Sequence, residues 1–248
     1  MLQSNESNAR KPRTFGRRGI MKFHSAVRAL ALITGLIALG ALAACKTASA
    51  KVSALPDPAM DDPVAAQTGQ KTAVVAGGCF WGIQLVFEHV KGVAKVTAGY
   101  AGGSAKTAEY ETVSTGRTGH AESVRISYDP SQITYGQLLK VFFSVAHNPT
   151  ELNRQGPDEG TQYRSVIFYT DQGQQQIAEA YIHQLTEARS FSHKIVTQVV
   201  PLQGFYPAEA YHQDYAVHNP QNMYIVINDL PKLDQLRKRL PDLYVGNH

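Results

Sequence analysis

The chain has 248 residues, 43% hydrophobic and 18% charged, which excludes global disorder and suits one domain with extra segments or two small domains. Two cysteines exclude a disulfide-dense scaffold and any four-cysteine zinc site. The basic excess (24 Lys+Arg against 20 Asp+Glu) sits at the start, where residues 1–44 hold seven basic residues and one acid, Glu6; the remainder is slightly acidic and carries no electrostatic footprint for nucleic acid.

Residues 1–44 run from a basic zone (Arg10 to Lys22) through an apolar one (Ala29 to Ala44), the order of an export signal. The apolar run is shorter than the roughly 20 residues of a spanning helix, and a stop-transfer helix is the competing reading. Leu42-Ala43-Ala44-Cys45 resembles a bacterial lipobox, in which the cysteine becomes the lipidated first residue of the mature protein. That resemblance implies a lipid anchor on Cys45 and a place at a membrane of the bacterial cell envelope. Plain cleavage near Ala48-Ser49-Ala50, giving a periplasmic protein, is the alternative, and Met21 begins an equally compact signal. Residues 45–70 are rich in Ala, Pro, Asp, Thr and Gln without apolar periodicity, and are expected to form a flexible tether. Residues 71–248 are the folded domain.

In that domain Thr72 to Ala76 reads as a strand ending in Gly77-Gly78. Phe80, Ile83, Phe87 and Val90 recur at helical spacing, which puts Cys79 at a strand-to-helix junction. Val93 to Ala98 reads as a strand, Gly99 to Gly119 as a long glycine-rich loop, and Ser123 to Tyr128 as an alternating strand ended by Asp129-Pro130. Tyr135, Leu138, Leu139, Phe142 and Ala146 mark a second helix, and residues 147–163 a polar loop. Arg164 to Tyr169 is a strand, Asp171 caps a third helix, Ile195 to Val200 is a strand stopped by Pro201, and Leu233 to Leu240 a last helix. The order β-α-β-β-α-β-α-β predicts an α+β fold: a two-layer α/β sandwich with a mixed sheet, a ferredoxin-like plait with additions.

A lone cysteine is often an inert buried hydrophobe. Cys79 has a different context, because it follows two glycines and opens a helix, where free N–H groups and the dipole favour an anion. Its thiol pKa is therefore expected to be lowered. Phe80 has the parity of the core face, whereas Trp81, the only tryptophan, lies off that face beside the thiol. Trp81 is either a packing residue or an aromatic wall that holds an apolar group next to sulfur. Glu122 shares a strand face with Val124 and Ile126. Either it stands at the strand end and reaches solvent, or it enters the core, stays protonated and serves as a general acid. Tyr110 and Tyr163 lie in the polar loops, where a phenol is a surface group or a donor to a developing oxyanion, and Asp158 suits a turn. His120 and His147 raise a Cys–His hydrolase as a rival enzyme, and a non-enzymatic envelope lipoprotein is a third reading. No pair of histidines has a convincing metal-ligand spacing.

Four motifs together carry a family resemblance. Gly78-Cys79-Phe80-Trp81-Gly82, Gly116 to Glu122, Asn153 to Ser165, and Tyr206 to Glu209 with Tyr211-His212-Gln213 resemble, in order, the motifs of the A-type peptide methionine sulfoxide reductases. The resemblance implies a two-layer α/β sandwich that reduces the S epimer of methionine sulfoxide, free or in oxidised proteins, without a metal or organic cofactor. It makes Cys79 the nucleophile on the sulfoxide sulfur, and Phe80 and Trp81 the cradle for the substrate methyl. Glu122 becomes the acid, Tyr110 and Tyr163 donors to the sulfoxide oxygen, and Asp158 an ordering group. Many relatives carry a resolving cysteine near the C-terminus, but residues 80–248 contain none. A one-cysteine cycle is expected, with a sulfenic acid on Cys79 attacked by an external thiol: a thioredoxin-like or glutaredoxin-like protein, or a small thiol. A monomer is expected.

Overall fold

The computed structural model describes residues 54–246. The export signal, Cys45 and the first part of the tether lie outside the described residues.

The elements follow in chain order. Strand β1 (Lys71–Ala76) leads into helix α1 (Phe80–Glu88), then β2 (Val93–Ala101), the short α2 (Tyr110–Val113) and β3 (Ala121–Tyr128). Helix α3 (Tyr135–Val141) widens into a π-helical turn over Phe142–Ala146. The two-residue strands β4 (Arg154–Gln155) and β5 (Asp158–Glu159) form a hairpin, followed by β6 (Val166–Tyr169) and the long α4 (Gln172–Glu187). The chain closes with β7 (Gln198–Pro201), β8 (Phe205–Pro207), α5 (Tyr215–His218), a π-helical turn over Ile225–Asp229 and α6 (Leu230–Arg239).

The main sheet has the order β7-β6-β1-β3-β2-β8. Its centre, β6-β1-β3-β2, is antiparallel and carries the predicted ferredoxin-like plait, and β8 and β7 are added at the edges. Only β6 and β7 pair in parallel, so the sheet is mixed. Strand alternation divides the faces. Ala73, Val75, Val124, Ile126 and Tyr128 point into the helical layer with Ile83, Val86 and Phe87 of α1, Leu138 and Leu139 of α3, and Ile177 and Tyr181 of α4. Each large side chain buried there is worth about 1.5–3 kcal/mol of transfer free energy. Val74, Ala76, Ala121, Val166 and Phe168 form a thinner layer on the other face, under Val200, Leu202 and Phe205.

Four expectations are corrected. The loop expected from Gly99 is strand to Ala101, because β8 pairs with Gly99, Tyr100 and Ala101; the rest folds into a 3-10 turn (Ala105–Thr107) and α2. The strand expected at Ile195 begins at Gln198, since Ile195 is packed into the core and the Val196 N–H donates to the Pro149 carbonyl. Pro201 belongs to that strand rather than stopping it, as an edge strand tolerates a missing donor. The last helix starts earlier, at Leu230, with Pro231 in its first turn.

The largest correction concerns the tether. From Ala54 onward it is not a free linker. Leu55 packs on the core, and the Tyr181 hydroxyl donates to the Pro56 carbonyl at 2.8 Å. Gln184 clasps the segment by donating to the Asp57 carbonyl and accepting from the Ala59 N–H, both at 2.8 Å. Asp61 takes the Gly136 N–H at 2.7 Å and the Thr134 hydroxyl, adding to the Thr134–Gln137 capping box of α3. The segment is held because exposed helix ends and side-chain amides offer it partners, a property of α3 and α4 that its own composition does not reveal.

Candidate active site

Gly78 has φ +100°, and a Cβ there would meet the Gln155 side chain at 2.6 Å, so the turn between β1 and α1 requires glycine. That turn delivers Cys79 to the N-cap of α1. The first free N–H group of α1 then has a side-chain acceptor. The Phe80 N–H donates to Glu122 Oε2 at 3.1 Å, and the Trp81 backbone N–H favours the charged form of the Cys79 sulfur without capping the helix through it. One helix end thus holds both the thiol and the carboxyl group.

Glu122 lies on the core face of β3, opposite Tyr100 of β2, and is 2% exposed. Burial pushes its pKa up to about 8; the Phe80 N–H opposes the rise and the Asp158 charge adds to it. At neutral pH the group is mostly protonated, because ionising it there costs roughly 5 kcal/mol more than in water. Cys79 is 9% exposed. Burial pushes its thiol well above the usual range, and the charges of Glu122 and Asp229 push the same way; the Trp81 N–H and Lys232 pull it down. This reverses the expected lowering. A helix end offers one N–H and a partial charge, and removal from water outweighs both. The resting sulfur is a neutral thiol.

Tyr110 begins α2 and Tyr163 ends a 3-10 turn, Thr161–Tyr163, so neither phenol sits in an irregular loop. Both hydroxyls have raised pKa values, through burial first and Glu122 second, and remain donors. Asp158 is half-buried in the β4–β5 hairpin, where it accepts from the Tyr224 hydroxyl. Phe80 is buried under Tyr100 and His212, with ring centroids 5.8 and 5.1 Å away. Trp81 is half-buried, with Tyr215 stacked on one face at 3.8 Å, Tyr224 edge-on at 6.0 Å, and its indole N–H donating to His212 Nδ1 at 3.2 Å. The fold therefore brings Cys79, Phe80, Trp81, Tyr110, Glu122, Asp158 and Tyr163 to one site.

His120 and His147 have other duties. His147 Nε2 lies 2.7 Å from the Ser165 hydroxyl and Nδ1 3.1 Å from the Phe142 carbonyl, and burial lowers its pKa to about 3. His120 lies 3.0 Å from the Ser104 carbonyl and accepts from the Gly103 N–H. With both ring nitrogens of each engaged, neither is the base of a Cys–His pair. Among the described residues no cluster of three or more His, Cys, Asp and Glu side chains is arranged to hold a metal.

Several residues went unread in the sequence. Glu209 and His212 stand inside the fourth motif but had no role there. Glu209 accepts from the Tyr110 N–H at 2.9 Å and the Tyr100 hydroxyl at 2.8 Å, tying α2 to the sheet. Tyr224 precedes the π-helical turn over Ile225–Asp229, Asp229 ends that turn and Lys232 lies in the first turn of α6, and no motif marks them in the sequence. An acid three residues before a lysine was the only available signal.

A family model described as peptide methionine sulfoxide reductase matches residues 71–243. The peptide methionine sulfoxide reductase MsrA 2 of Mesorhizobium japonicum is 60% identical over 185 residues, covering 75% of this chain and 94% of that protein. The MsrA 2 of Synechocystis is 52% identical over 190 residues, covering 76% and 89%. Among solved structures, reduced Mxr1 from Saccharomyces cerevisiae superposes with a TM-score of 0.56 at 31% identity, covering 64% of this chain and 94% of that one. Methionine sulfoxide reductase A of Corynebacterium diphtheriae gives 0.55 at 37% identity, covering 62% and 77%. With its motifs gathered around Cys79 and its folded region matched almost end to end, the chain belongs to the peptide methionine sulfoxide reductase family.

Proposed function

We propose that the chain reduces methionine S-sulfoxide, free or in oxidised proteins, through Cys79 and Glu122 acting together. The observation that carries this reading is their shared place at the start of α1: Cys79 is its N-cap residue, and the protonated Glu122 accepts from the N–H of the next residue, Phe80. A sulfoxide oxygen leaves poorly until it is protonated. Glu122 donates to it, with the Tyr110 and Tyr163 hydroxyls supporting the developing charge. Trp81 and Phe80 seat the methyl group, and Asp158 orders the pocket wall with Tyr224. Cys79 attacks the sulfoxide sulfur, and its proton returns to Glu122. The sulfur–oxygen bond breaks, methionine leaves as the sulfide, and the oxygen ends on Cys79 as a sulfenic acid. One external thiol displaces water from that acid to form a mixed disulfide, and a second releases Cys79 as the thiol with an external disulfide. The absence of cysteine from residues 80–248 supports this route over an internal disulfide. A thioredoxin-like protein, a glutaredoxin-like protein and a small thiol all fit that chemistry.

The lipobox-like Leu42-Ala43-Ala44-Cys45 supports export and a lipid on Cys45, placing the enzyme at the bacterial envelope. The test compares wild type with Cys79→Ser on methionine S-sulfoxide and dithiothreitol, with the mass of the thiol-starved protein recorded. Sulfide from wild type alone, and one added oxygen on the Cys79 peptide, is the expected result. A C79S protein that still makes sulfide overturns it.

A further inference from the structure

Asp229 is fully buried, yet among the described residues the only cation it contacts is Lys232, whose Nζ lies 3.0 Å from Oδ1; the Lys232 side chain is itself only 18% exposed. Asp229 Oδ2 has no partner. The pair sits against the face of α1 that carries the nucleophile. A Cβ on Gly82 would meet Asp229 Cγ and Lys232 Nζ, each at 2.7 Å. Gly82 is three residues after Cys79, and positions three apart on a helix are neighbours about 5–6 Å apart. The glycine thus leaves the space through which an ion pair from the C-terminal arm reaches the neighbourhood of the sulfur. Ionisable groups around Cys79 come from every packed element: Glu122 of β3, Tyr110 of α2, Tyr163, and Tyr224, Asp229 and Lys232 of the arm. Lys232 is the cation among them, and its charge is felt by Cys79 and Asp158 as well as Asp229.

We propose that Asp229 and Lys232 are positioning residues for the Cys79 nucleophile, the Lys232 ammonium favouring the thiolate and the Asp229 carboxylate anchoring and tempering that ammonium. The arm thereby sets two opposed charges on Cys79, the carboxylate acting against the thiolate more strongly than the ammonium favours it. The inference rests on Cys79 being the nucleophile, and it concerns residues outside all four sequence motifs.

The test is the alkylation rate of Cys79 by iodoacetamide at neutral pH in the full chain, read on the Cys79 peptide by mass spectrometry so that Cys45 does not contribute. Lys232→Met is expected to slow alkylation and Asp229→Asn to speed it, each by about tenfold, the effect of about one pKa unit on the thiol. The double variant should fall between them, and Lys232→Arg should restore the wild-type rate. Loosened packing would speed every variant, so a slower K232M is specific to the charge. Should K232M fail to fold, D229N must still be fast and D229N/K232M slower than D229N. Equal rates throughout, or acceleration in both single variants, overturns the proposal. A C79S protein with full reductase activity would overturn the assignment of the nucleophile and leave this order of rates intact.

Discussion

Two buried carboxyl groups flank the start of α1, and they are managed in opposite ways. At the start of β3, Glu122 meets a backbone N–H and no cation, so burial wins and the group holds its proton at neutral pH. At the entry to α6, Asp229 meets an ammonium at 3.0 Å, which pulls back the rise that burial causes. The same functional group is a protonated acid on one side and the partner of an ammonium on the other. The partner within hydrogen-bond reach decides the outcome, since both groups are almost wholly removed from water.

Removing the acid has the largest expected effect. Glu122→Gln keeps the shape and the acceptor for the Phe80 N–H but has no proton to give, and kcat/KM should fall about 10²–10⁴-fold. In wild type the Glu122 contribution to kcat/KM should decline as pH rises through about 8, and in E122Q that decline should vanish. Stability follows the same group. The folded protein holds the proton over the range from the ordinary carboxylate pKa up to about 8, so this contribution to stability falls with rising pH across that window and is flat above it. Urea midpoints of wild type and E122Q at several pH values would measure the difference, and parallel curves would contradict the protonated assignment.

Breaking the other arrangement should cost stability rather than proton transfer. Lys232→Met leaves a buried charge uncompensated, at about 3 kcal/mol, whereas D229N/K232M should lose much less; denaturant unfolding of both would separate the pair from its packing. Gly82→Ala attacks the pair sterically. Its methyl group must displace the Asp229 carboxylate, for about 1–3 kcal/mol, and should change the Cys79 alkylation rate while leaving Glu122 bonded to Phe80. The smallest effect is expected far from the site. Thr134→Ala removes the cap of α3 and the hydroxyl that Asp61 accepts, for about 1 kcal/mol, and should render residues 54–65 easier to cleave with protease.

The contrast between the two carboxyl groups also separates what was legible from what was not. Glu122 was partly readable because a strand alternates its faces: the parity of Val124 and Ile126 put it on the apolar face, and its burial decided between core and solvent. Cys79 was readable because two glycines before a 3.6-residue pattern locate a helix start. Asp229 and Lys232 were not, because they are single polar residues at the join of a π-helical turn and α6, and only the packing of that segment on α1 brings them to the helix of the nucleophile. The docked segment from Ala54 was misread for the same reason, since its partners Thr134, Tyr181 and Gln184 are distant in sequence.

The amino-acid sequence by itself determined the strand and helix order, the plait, the four motifs and the residue types that carry the chemistry, because these follow from short-range periodicity and turn geometry. The tertiary structure alone decided the charge states. The thiol expected to be acidic is held neutral by burial, the phenols expected in loops stand on short helical turns around it, and an ion pair more than 140 residues away supplies its cation. Charge states depend on what surrounds a group in three dimensions, and desolvation, the largest influence on both Cys79 and Glu122, is invisible until the chain has folded.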